Sequence, residues 1–404
     1  MNDSRPLFAR QPIYDQKLSV FGYELLYRPP SYDDPFDDDK ATSDVVLNAF
    51  TEVGLTRATE SSHAFINFPT TWLLSPPPFE PQSVVIEVLE SVEVTSEILQ
   101  AVRELKQQGY TIALDDFVYS EAKQALIELA DIIKIDVLHM QGEALETLID
   151  QLKPFNKILL AEKVEDYQVF SRCQELGCTL FQGYFLCRPQ IIEGQVLPAN
   201  KLVVMRLLAD LQNPDIDIKD LENSISNDPT LSVKLLKIIN SAQYNLNKKV
   251  ESLQKAIVLL GLQKLKAWAS VIALSKLADK PSELLMLTLT RAKMLEVLAI
   301  EANKGNPDKY FTVGLFSSVD AFFDQPKDII LNSLPLEQDI SAALINYQGE
   351  LGTMLKAAIH FEQGEWGSID WQSLKHSGVD EEMLEKAYIE ALRWSLEIMT
   401  SLLQ

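Results

Sequence analysis

The chain has 404 residues, more than one ordinary hydrophobic core accommodates, so two domains are expected. Its formal net charge of −22 argues against duplex nucleic acid as a partner, because duplex binding favours a basic surface. No apolar run reaches the roughly 18 residues of a membrane span, and the N-terminus lacks the layout of a signal peptide. We therefore expect a cytoplasmic protein without a membrane span. The negative net charge does not exclude a small anionic ligand that is held through metal ions, because bound cations reverse the local electric field.

The first half of the chain alternates short β-rich runs with amphipathic helical stretches. One such stretch, Ser96–Gln108, has apolar residues at helical spacing and is followed by Gly109. Regular alternation predicts parallel strands covered by helices, so we expect an α/β TIM-type (β/α) barrel over residues 1–198, with an open doubly wound sheet as the alternative. The strand candidates are Val20–Tyr27, Ala64–Phe68, Val84–Leu89, Thr111–Phe117, Ile132–Val137, Ile158–Ala161 and Leu180–Leu186.

The second half, residues 199–404, shows helical periodicity and predicts an all-α domain. Asp228 and Pro229 are typical of a helix start, as the cap and the first helical residue. Two further helices are predicted over Ser252–Leu260, which Gly261 ends, and over Leu262–Leu277.

Polar residues recur at or near the ends of the apolar runs in the first half. In a parallel barrel the C-terminal strand ends surround one mouth, so these residues converge in space. Their oxygen donors suit Mg²⁺ or Mn²⁺, and two such ions could clamp a phosphodiester and activate a water molecule. Strand-end acids also often cap helices, so a structural role stays open. The residues are Glu24, Asn67, Glu87, Asp115, Asp116, Lys134 and Glu162.

Seven short motifs follow one another along the same half of the chain. They are Gly22-Tyr23-Glu24-Leu25-Leu26-Tyr27-Arg28, Phe65-Ile66-Asn67, Ile86-Glu87-Val88-Leu89-Glu90, Leu114-Asp115-Asp116-Phe117, Ile133-Lys134-Ile135-Asp136, Ala161-Glu162-Lys163-Val164-Glu165 and Phe181-Gln182-Gly183-Tyr184. In this order they resemble the EAL family of cyclic di-GMP phosphodiesterases. Three positions depart from the family pattern: Leu25 replaces Ala, Leu89 replaces Thr and Lys163 replaces Gly.

The resemblance implies a barrel that opens cyclic di-GMP to linear pGpG with Mg²⁺ or Mn²⁺. The metal ligands that it implies are Glu24, Asn67, Glu87, Asp115, Asp116 and Glu162. Lys134 would contact the attacking water and act with Glu24 and Glu162 in catalysis. Gln182 would steady the site, and Arg28 would hold a ligand phosphate. The resemblance further implies a homodimer and a role in switching motility or biofilm formation.

The loop after the paired aspartates departs from the family pattern. It reads Val118-Tyr119-Ser120-Glu121-Ala122, where the family has Gly-x-Gly-Tyr-Ser. Glycine permits backbone conformations that Val118 resists. Two interpretations therefore stay open: a phosphodiesterase with an altered loop, or a catalytically inactive cyclic di-GMP sensor or scaffold.

The second half resembles the HDOD domain, a helical relative of the HD metal hydrolases. The resemblance rests on three segments: Asn227-Asp228-Pro229-Thr230-Leu231, Ile239-Asn240-Ser241-Ala242-Gln243-Tyr244 and Ala256-Ile257-Val258-Leu259-Leu260-Gly261. Where an HD hydrolase has its His-Asp pair, this chain has Ser317 and Ser318, and its histidines in this half are His360 and His376. We therefore expect no hydrolysis here but a docking domain for another signalling protein. Four aromatic residues are candidates for an exposed docking face, with burial in the core as the alternative: Phe322, Phe323, Trp366 and Trp371.

Overall fold

The computed structural model describes most of the chain in two compact units. The described residues are 7–28, 59, 62–75, 77, 79–117, 119–120, 123–190, 198–213, 215–226, 228–240, 250, 252–277 and 280–403, with only the backbone described at 7, 8, 27, 28, 229 and 403. One unit comprises residues 1–186 and 362–366, and the other residues 187–361 and 367–404. The domain boundary at 198/199 stays a prediction.

Within its described residues, the first unit forms a closed barrel of eight strands in sequential order. The strands are β1 (Leu7–Asp15), β2 (Val20–Arg28), β3 (His63–Phe68), β4 (Val84–Val88), β5 (Thr111–Leu114), β6 (Ile132–Asp136), β7 (Ile158–Glu162) and β8 (Leu180–Gln182). Strands β2 to β8 pair in parallel, whereas β1 is antiparallel to both β2 and β8. The predicted TIM-type barrel is thus confirmed, and the open sheet is excluded.

Strand β1 is absent from the predicted strands, and four predicted strands extend past their observed ends: β4 and β6 by one residue, and β5 and β8 by three and four. Pro12 lies within β1, and a proline in an apolar run normally argues against a strand because it cannot donate a hydrogen bond to the ladder. Strand β5 ends at Leu114, before Asp116 adopts a left-handed backbone with φ of 40°. Strand β8 ends at Gln182, because the chain turns at Gly183, where φ is 147°.

Helices cover the barrel between its strands. They are α1 (Thr70–Leu73), α2 (Ser96–Gln107), α3 (Gln124–Leu129), α4 (Glu143–Leu152) and α5 (Tyr167–Leu176). The predicted helix after Thr95 is confirmed, since the Thr95 hydroxyl accepts a hydrogen bond from the Ile98 N–H as an N-terminal cap. Its apolar face, including Val102, is buried.

The second unit is all-α in its described residues, as predicted. Its helices are α6 (Ala199–Gln212), α7 (Ile218–Ser226), α8 (Pro229–Ile239), α9 (Leu253–Leu260), α10 (Leu262–Leu274), α11 (Ser282–Glu301), α12 (Pro307–Phe316), α13 (Val319–Phe323), α14 (Lys327–Asn332), α15 (Gln338–Asn346), α16 (Gly349–Glu362), α17 (Trp371–His376) and α18 (Glu381–Leu403). Asp228 caps α8 and Pro229 is its first residue, which confirms that prediction. Helix α10 ends at Leu274, three residues before the predicted end at Leu277. None of the described helices is both long enough and apolar enough to cross a membrane.

For two of the four aromatic residues considered for a docking face, burial in the core is the interpretation that is confirmed. Phe322 and Phe323 lie in α13 and are buried in the core. Trp366 and Trp371 are half-buried. Buried aromatic rings supply much of a core's apolar contact, so these phenylalanines stabilise the fold rather than present a surface.

Candidate functional site at the barrel mouth

The residues predicted to surround the mouth lie one layer above a buried apolar layer of the barrel. The apolar layer consists of Ile13, Phe65, Val85, Ala113, Ile132, Leu160 and Leu180. Side chains two positions apart on a strand point to the same face, so each strand places a polar residue above its apolar one. These polar residues are Gln11, Asn67, Glu87, Asp115, Lys134, Glu162 and Gln182, and Glu24 of β2 joins them.

Lys134 lies at the centre of this layer, surrounded by four carboxylates. Its Nζ atom is 2.6 Å from Glu87 Oε1, 2.6 Å from Asp115 Oδ1 and 2.8 Å from Glu162 Oε1. Glu24 Oε2 is 3.4 Å away. We call these four acids and Lys134 the carboxylate cage. The contacts are ion pairs by distance, but none has the alignment of a hydrogen bond.

Gln182 connects the cage to strand β1. Its Nε2 donates to Glu24 Oε2 at 2.6 Å and to Gln11 Oε1 at 2.9 Å. Gln11 is not among the predicted site residues, because its strand β1 was not predicted. In β1 the polar residue precedes its apolar partner Ile13 rather than following it, because this strand runs antiparallel to its neighbours.

Gly183 holds Gln182 in place at the end of β8. The Val164 N–H donates to the Gln182 carbonyl oxygen at 2.9 Å, which brings the two backbone segments into close contact. A Cβ atom at position 183 would overlap the backbone of Val164. The glycine of this motif is therefore needed for the close approach that positions Gln182.

The cage contains more negative charge than its single ammonium offsets. Burial raises the pKa of Glu87 well above its usual value, against the effect of Lys134 and with a further rise from neighbouring carboxylates. Burial also raises the pKa of Glu162 to about 8. For Lys134, burial alone would lower the pKa, but the four carboxylates together raise it well above its usual value. Such a site favours additional positive charge.

The cage has the donor chemistry that a divalent cation requires. Glu87 Oε2 and Gln182 Oε1 are buried oxygens without a hydrogen-bond partner. Carboxylate and amide oxygens are the ligands that Mg²⁺ and Mn²⁺ prefer. Within the described residues, no three His, Cys, Asp or Glu side chains are arranged to hold a metal as they stand, since the Lys134 ammonium takes the centre. The oxygen donors of the cage are therefore of the kind that binds Mg²⁺ or Mn²⁺.

Of the remaining predicted site residues, Asn67 lies beside the cage, Asp116 lies outside it, and the Arg28 side chain is not described. Asn67 lies on β3 directly beside Glu87 in the strand register. Asp116 follows the cage residue Asp115 but is 44% exposed, and it faces Lys163 rather than Lys134. The Arg28 side chain lies outside the described residues, as do Val118, Glu121 and Ala122 of the departing loop.

Lys163 forms a second charged group on the rim of the mouth. Its Nζ is 2.5 Å from Asp136 Oδ2 and 3.8 Å from Asp116 Oδ1. His139 Nδ1 lies 2.7 Å from the same Asp136 oxygen. Although burial raises the pKa of Asp136, hydrogen bonds from Lys163 and His139 lower it to about 2. In the sequence, Lys163 stands out only as a departure from the family pattern, and its contacts with Asp136 and Asp116 become visible in the structure.

In the helical unit, a buried arginine contacts the two serines that stand where an HD hydrolase would have its metal-binding pair. Arg291 is buried, and its Nη1 donates to Ser317 Oγ at 2.8 Å and to Ser318 Oγ at 3.0 Å. His360 and His376 lie on helices α16 and α17, away from these serines in sequence. A guanidinium cannot be deprotonated in a protein and repels a metal cation.

Comparison with known proteins identifies the family. A model described as EAL domain matches residues 52–189, and one described as HDOD domain matches residues 197–323. The uncharacterized protein YuxH of Bacillus subtilis is 34% identical over 408 residues, covering 98% of this chain and 99% of that protein. The cyclic di-GMP phosphodiesterase CdgJ of Vibrio cholerae is 34% identical over 399 residues, covering 96% of this chain and 92% of that protein.

The chain belongs to the EAL–HDOD family. The predicted resemblance is thus confirmed in both halves. The EAL match begins at residue 52, so the motif that carries Glu24 precedes it, yet the barrel brings Glu24 into the cage. Among solved structures, the YkuI protein of Bacillus subtilis, with an EAL domain and in complex with substrate c-di-GMP and calcium, is 16% identical with a TM-score of 0.39. That match covers 56% of this chain and 73% of that chain.

Proposed function

We propose that the barrel binds cyclic di-GMP and hydrolyses it to linear pGpG in the presence of Mg²⁺ or Mn²⁺. One observation carries the proposal: strands β2, β4 and β7, and the residue directly after β5, each direct a carboxylate at Lys134 in a buried layer at the mouth. The similarity to CdgJ over almost the whole chain supports the choice of substrate.

The reaction would proceed by attack of water on one phosphorus atom of the dinucleotide. The water oxygen forms a new P–O bond, the P–O3′ bond breaks, and the 3′ oxygen leaves with a proton. A divalent cation held by Glu24, Asn67, Glu87 and Asp115, with Glu162 beside it, would lower the pKa of bound water and neutralise phosphate charge.

The chain's own residues would orient this reaction. Lys134 Nζ and Glu162 Oε1 are in direct contact at 2.8 Å, so a water molecule beside this pair could accept a hydrogen bond from the ammonium and donate one to the carboxylate. Gln182 keeps Glu24 in its rotamer through the 2.6 Å hydrogen bond. Arg28, whose side chain lies outside the described residues, would hold a phosphate of the ligand.

Turnover by the full-length protein tests the proposal. Cyclic di-GMP is incubated with Mg²⁺ or Mn²⁺, and pGpG is resolved by chromatography. Glu24→Gln removes a cage charge without changing size, and Glu93→Gln makes the same change on the exposed surface. Product from wild type and Glu93→Gln but not from Glu24→Gln supports the phosphodiesterase.

The same experiment separates the alternatives. Saturable binding of intact cyclic di-GMP without product would make the protein a sensor, the interpretation that the altered loop after Asp116 favours. Neither product nor binding would make the barrel a scaffold and overturn the proposal.

For the helical unit we propose a non-catalytic role in docking another signalling protein. Arg291 between Ser317 and Ser318 supports the absence of metal chemistry. Val258 and Leu259 of α9 are 85% and 55% exposed, which makes this helix a better docking candidate than α13. A photo-reactive residue at position 258 should cross-link one partner in cells, and a probe at Ile300, also 55% exposed, should not. Equal products from both probes would contradict the proposal. Homodimerisation and control of motility or biofilm formation stay predictions.

A further inference from the structure

We infer that the Lys163 ammonium is a built-in cation that replaces the outer of two divalent metals, so that the mouth of this barrel binds a single divalent ion. The inference rests on the proposed function, because it concerns the ions which that function requires. It assigns a role to the residue that replaces Gly in the family motif.

The first support is the position of the ammonium between two carboxylates of the rim. Its Nζ is 2.5 Å from Asp136 Oδ2 and 3.8 Å from Asp116 Oδ1. Asp116 is the residue expected to bridge to a second metal, and Lys163 supplies it with a counter-charge from the protein itself. A divalent ion next to Asp116 would lie close to this ammonium and be repelled by it.

The second support is the way in which Asp136 is held. Its Oδ1 accepts hydrogen bonds from the backbone N–H groups of Leu138 and His139 at 2.9 Å and 3.0 Å. Its Oδ2 receives both Lys163 Nζ and His139 Nδ1. With its carboxylate fixed in this way and only 15% exposed, Asp136 anchors the ammonium at the rim.

The third support is the backbone of Lys163. Its φ is 56°, a left-handed conformation that glycine adopts freely and a lysine adopts at a cost. Asp116, the other end of the ion pair, is also left-handed, with φ of 40°. Strained non-glycine residues persist where the surrounding structure holds them, and here the side chain makes the contacts that hold it.

The cage would retain the inner ion independently of Lys163. Its acids pair with Lys134, and the rim acids pair with Lys163. The two lysines therefore serve different parts of the mouth, and their charges can be removed separately.

Counting bound Mn²⁺ on the full-length protein tests the inference. Free Mn²⁺ is measured by electron paramagnetic resonance during a titration at pH 7. We expect one bound ion for wild type, none at comparable affinity for Glu24→Gln, and two for Lys163→Gly. Lys163→Asn tolerates the left-handed backbone but removes the charge, so it should also bind two, whereas Lys163→Arg keeps the charge and should bind one.

A matched control relieves strain without touching the mouth. Asn156 has φ of 51°, so Asn156→Gly should still bind one ion. Two ions on wild type, or one ion on both Lys163→Gly and Lys163→Asn, would overturn the inference while leaving the proposed function intact. No Mn²⁺ on wild type or on any variant would instead reject the proposed function, and the inference with it.

Discussion

Lys134 Nζ and Glu87 Oε1 lie 2.6 Å apart in the interior of the barrel, and both side chains are almost completely inaccessible to solvent. A buried pair of this kind is costly to break, because removing one partner leaves the other charge uncompensated. The pair is also surrounded by further carboxylates, so Lys134 is the counter-charge of the whole cage. Both the stability of the barrel and its response to metal ions should depend on this ammonium.

Replacing Lys134 with Met should destabilise the metal-free protein by about 3–5 kcal/mol, the usual cost of breaking a buried ion pair. The measurement is denaturant unfolding of the full-length chain in the presence of a chelator. Mn²⁺ should restore more stability to this variant than to wild type, because the ion replaces the lost positive charge. Lys153→Met, at an exposed lysine, is the matched control and should have little effect. Equal stability of Lys134→Met and wild type would show that the cage does not need its ammonium.

Replacing Gly183 with Ala should destabilise the barrel by about 1–3 kcal/mol and reduce turnover, because the added methyl group displaces the backbone that holds Gln182. Thermal unfolding and the pGpG assay measure the two effects. Gly177 also has a positive φ, of 112°, but a Cβ there would meet no atom within 4 Å. Gly177→Ala therefore reports backbone strain alone. If it loses as much turnover as Gly183→Ala, the contact with Val164 is not what positions the site.

The cap of helix α8 should make the stability of the helical unit depend on pH. Burial raises the pKa of Asp228, but hydrogen bonds from Lys276 and from the backbone outweigh it, so the folded pKa is lowered. A carboxyl group with a lowered folded pKa stabilises the fold above its unfolded pKa of about 3.9 and loses this effect as pH falls through the folded value.

Asp228→Ala should therefore cost about 0.5–2 kcal/mol at pH 7, the usual range for an N-terminal cap. The difference from wild type should shrink as pH falls below about 4. Urea unfolding followed by circular dichroism at pH 7, 4 and 3 checks this. Asp228→Asn keeps a capping oxygen without the charge, so it should lose less stability and show less pH dependence. A cost for Asp228→Ala that stays constant over this range would contradict the ionic part of the argument.

Arg291 should stabilise the helical unit through its two buried serine partners. Arg291→Met keeps the apolar length of the side chain but removes the donors to Ser317 and Ser318, and should cost about 1.5–3 kcal/mol. Both hydrogen bonds leave the same nitrogen, Nη1, and lysine is shorter than arginine and lacks the planar guanidinium, so Arg291→Lys should recover only part of the loss. Thermal unfolding measures both variants. Full recovery with Lys would show that the serines do not need the reach and planar geometry of the guanidinium.

The alternation of apolar runs and helical stretches was enough to predict the barrel and the all-α second unit. The reason is local: strand and helix periodicities differ, and a run such as Ile132–Asp136 can bury its apolar residues only inside a sheet covered by helices. Strand β1 escaped prediction because Pro12 weakens the local signal. It forms nevertheless, since antiparallel pairing with β2 and β8 closes the barrel.

By itself, the sequence determined which residues could reach the mouth, because strand-end position and two-residue periodicity are properties of the chain. Only the tertiary structure decided which of those residues surround Lys134 and which pair with Lys163 on the rim. Closure of the barrel brings Glu24, Glu87, Asp115 and Glu162 around Lys134, whereas the left-handed turn at Asp116 directs its carboxylate to Lys163. Distances between side chains on different strands depend on register and on local backbone conformation, and neither is encoded in the spacing of residues along the chain.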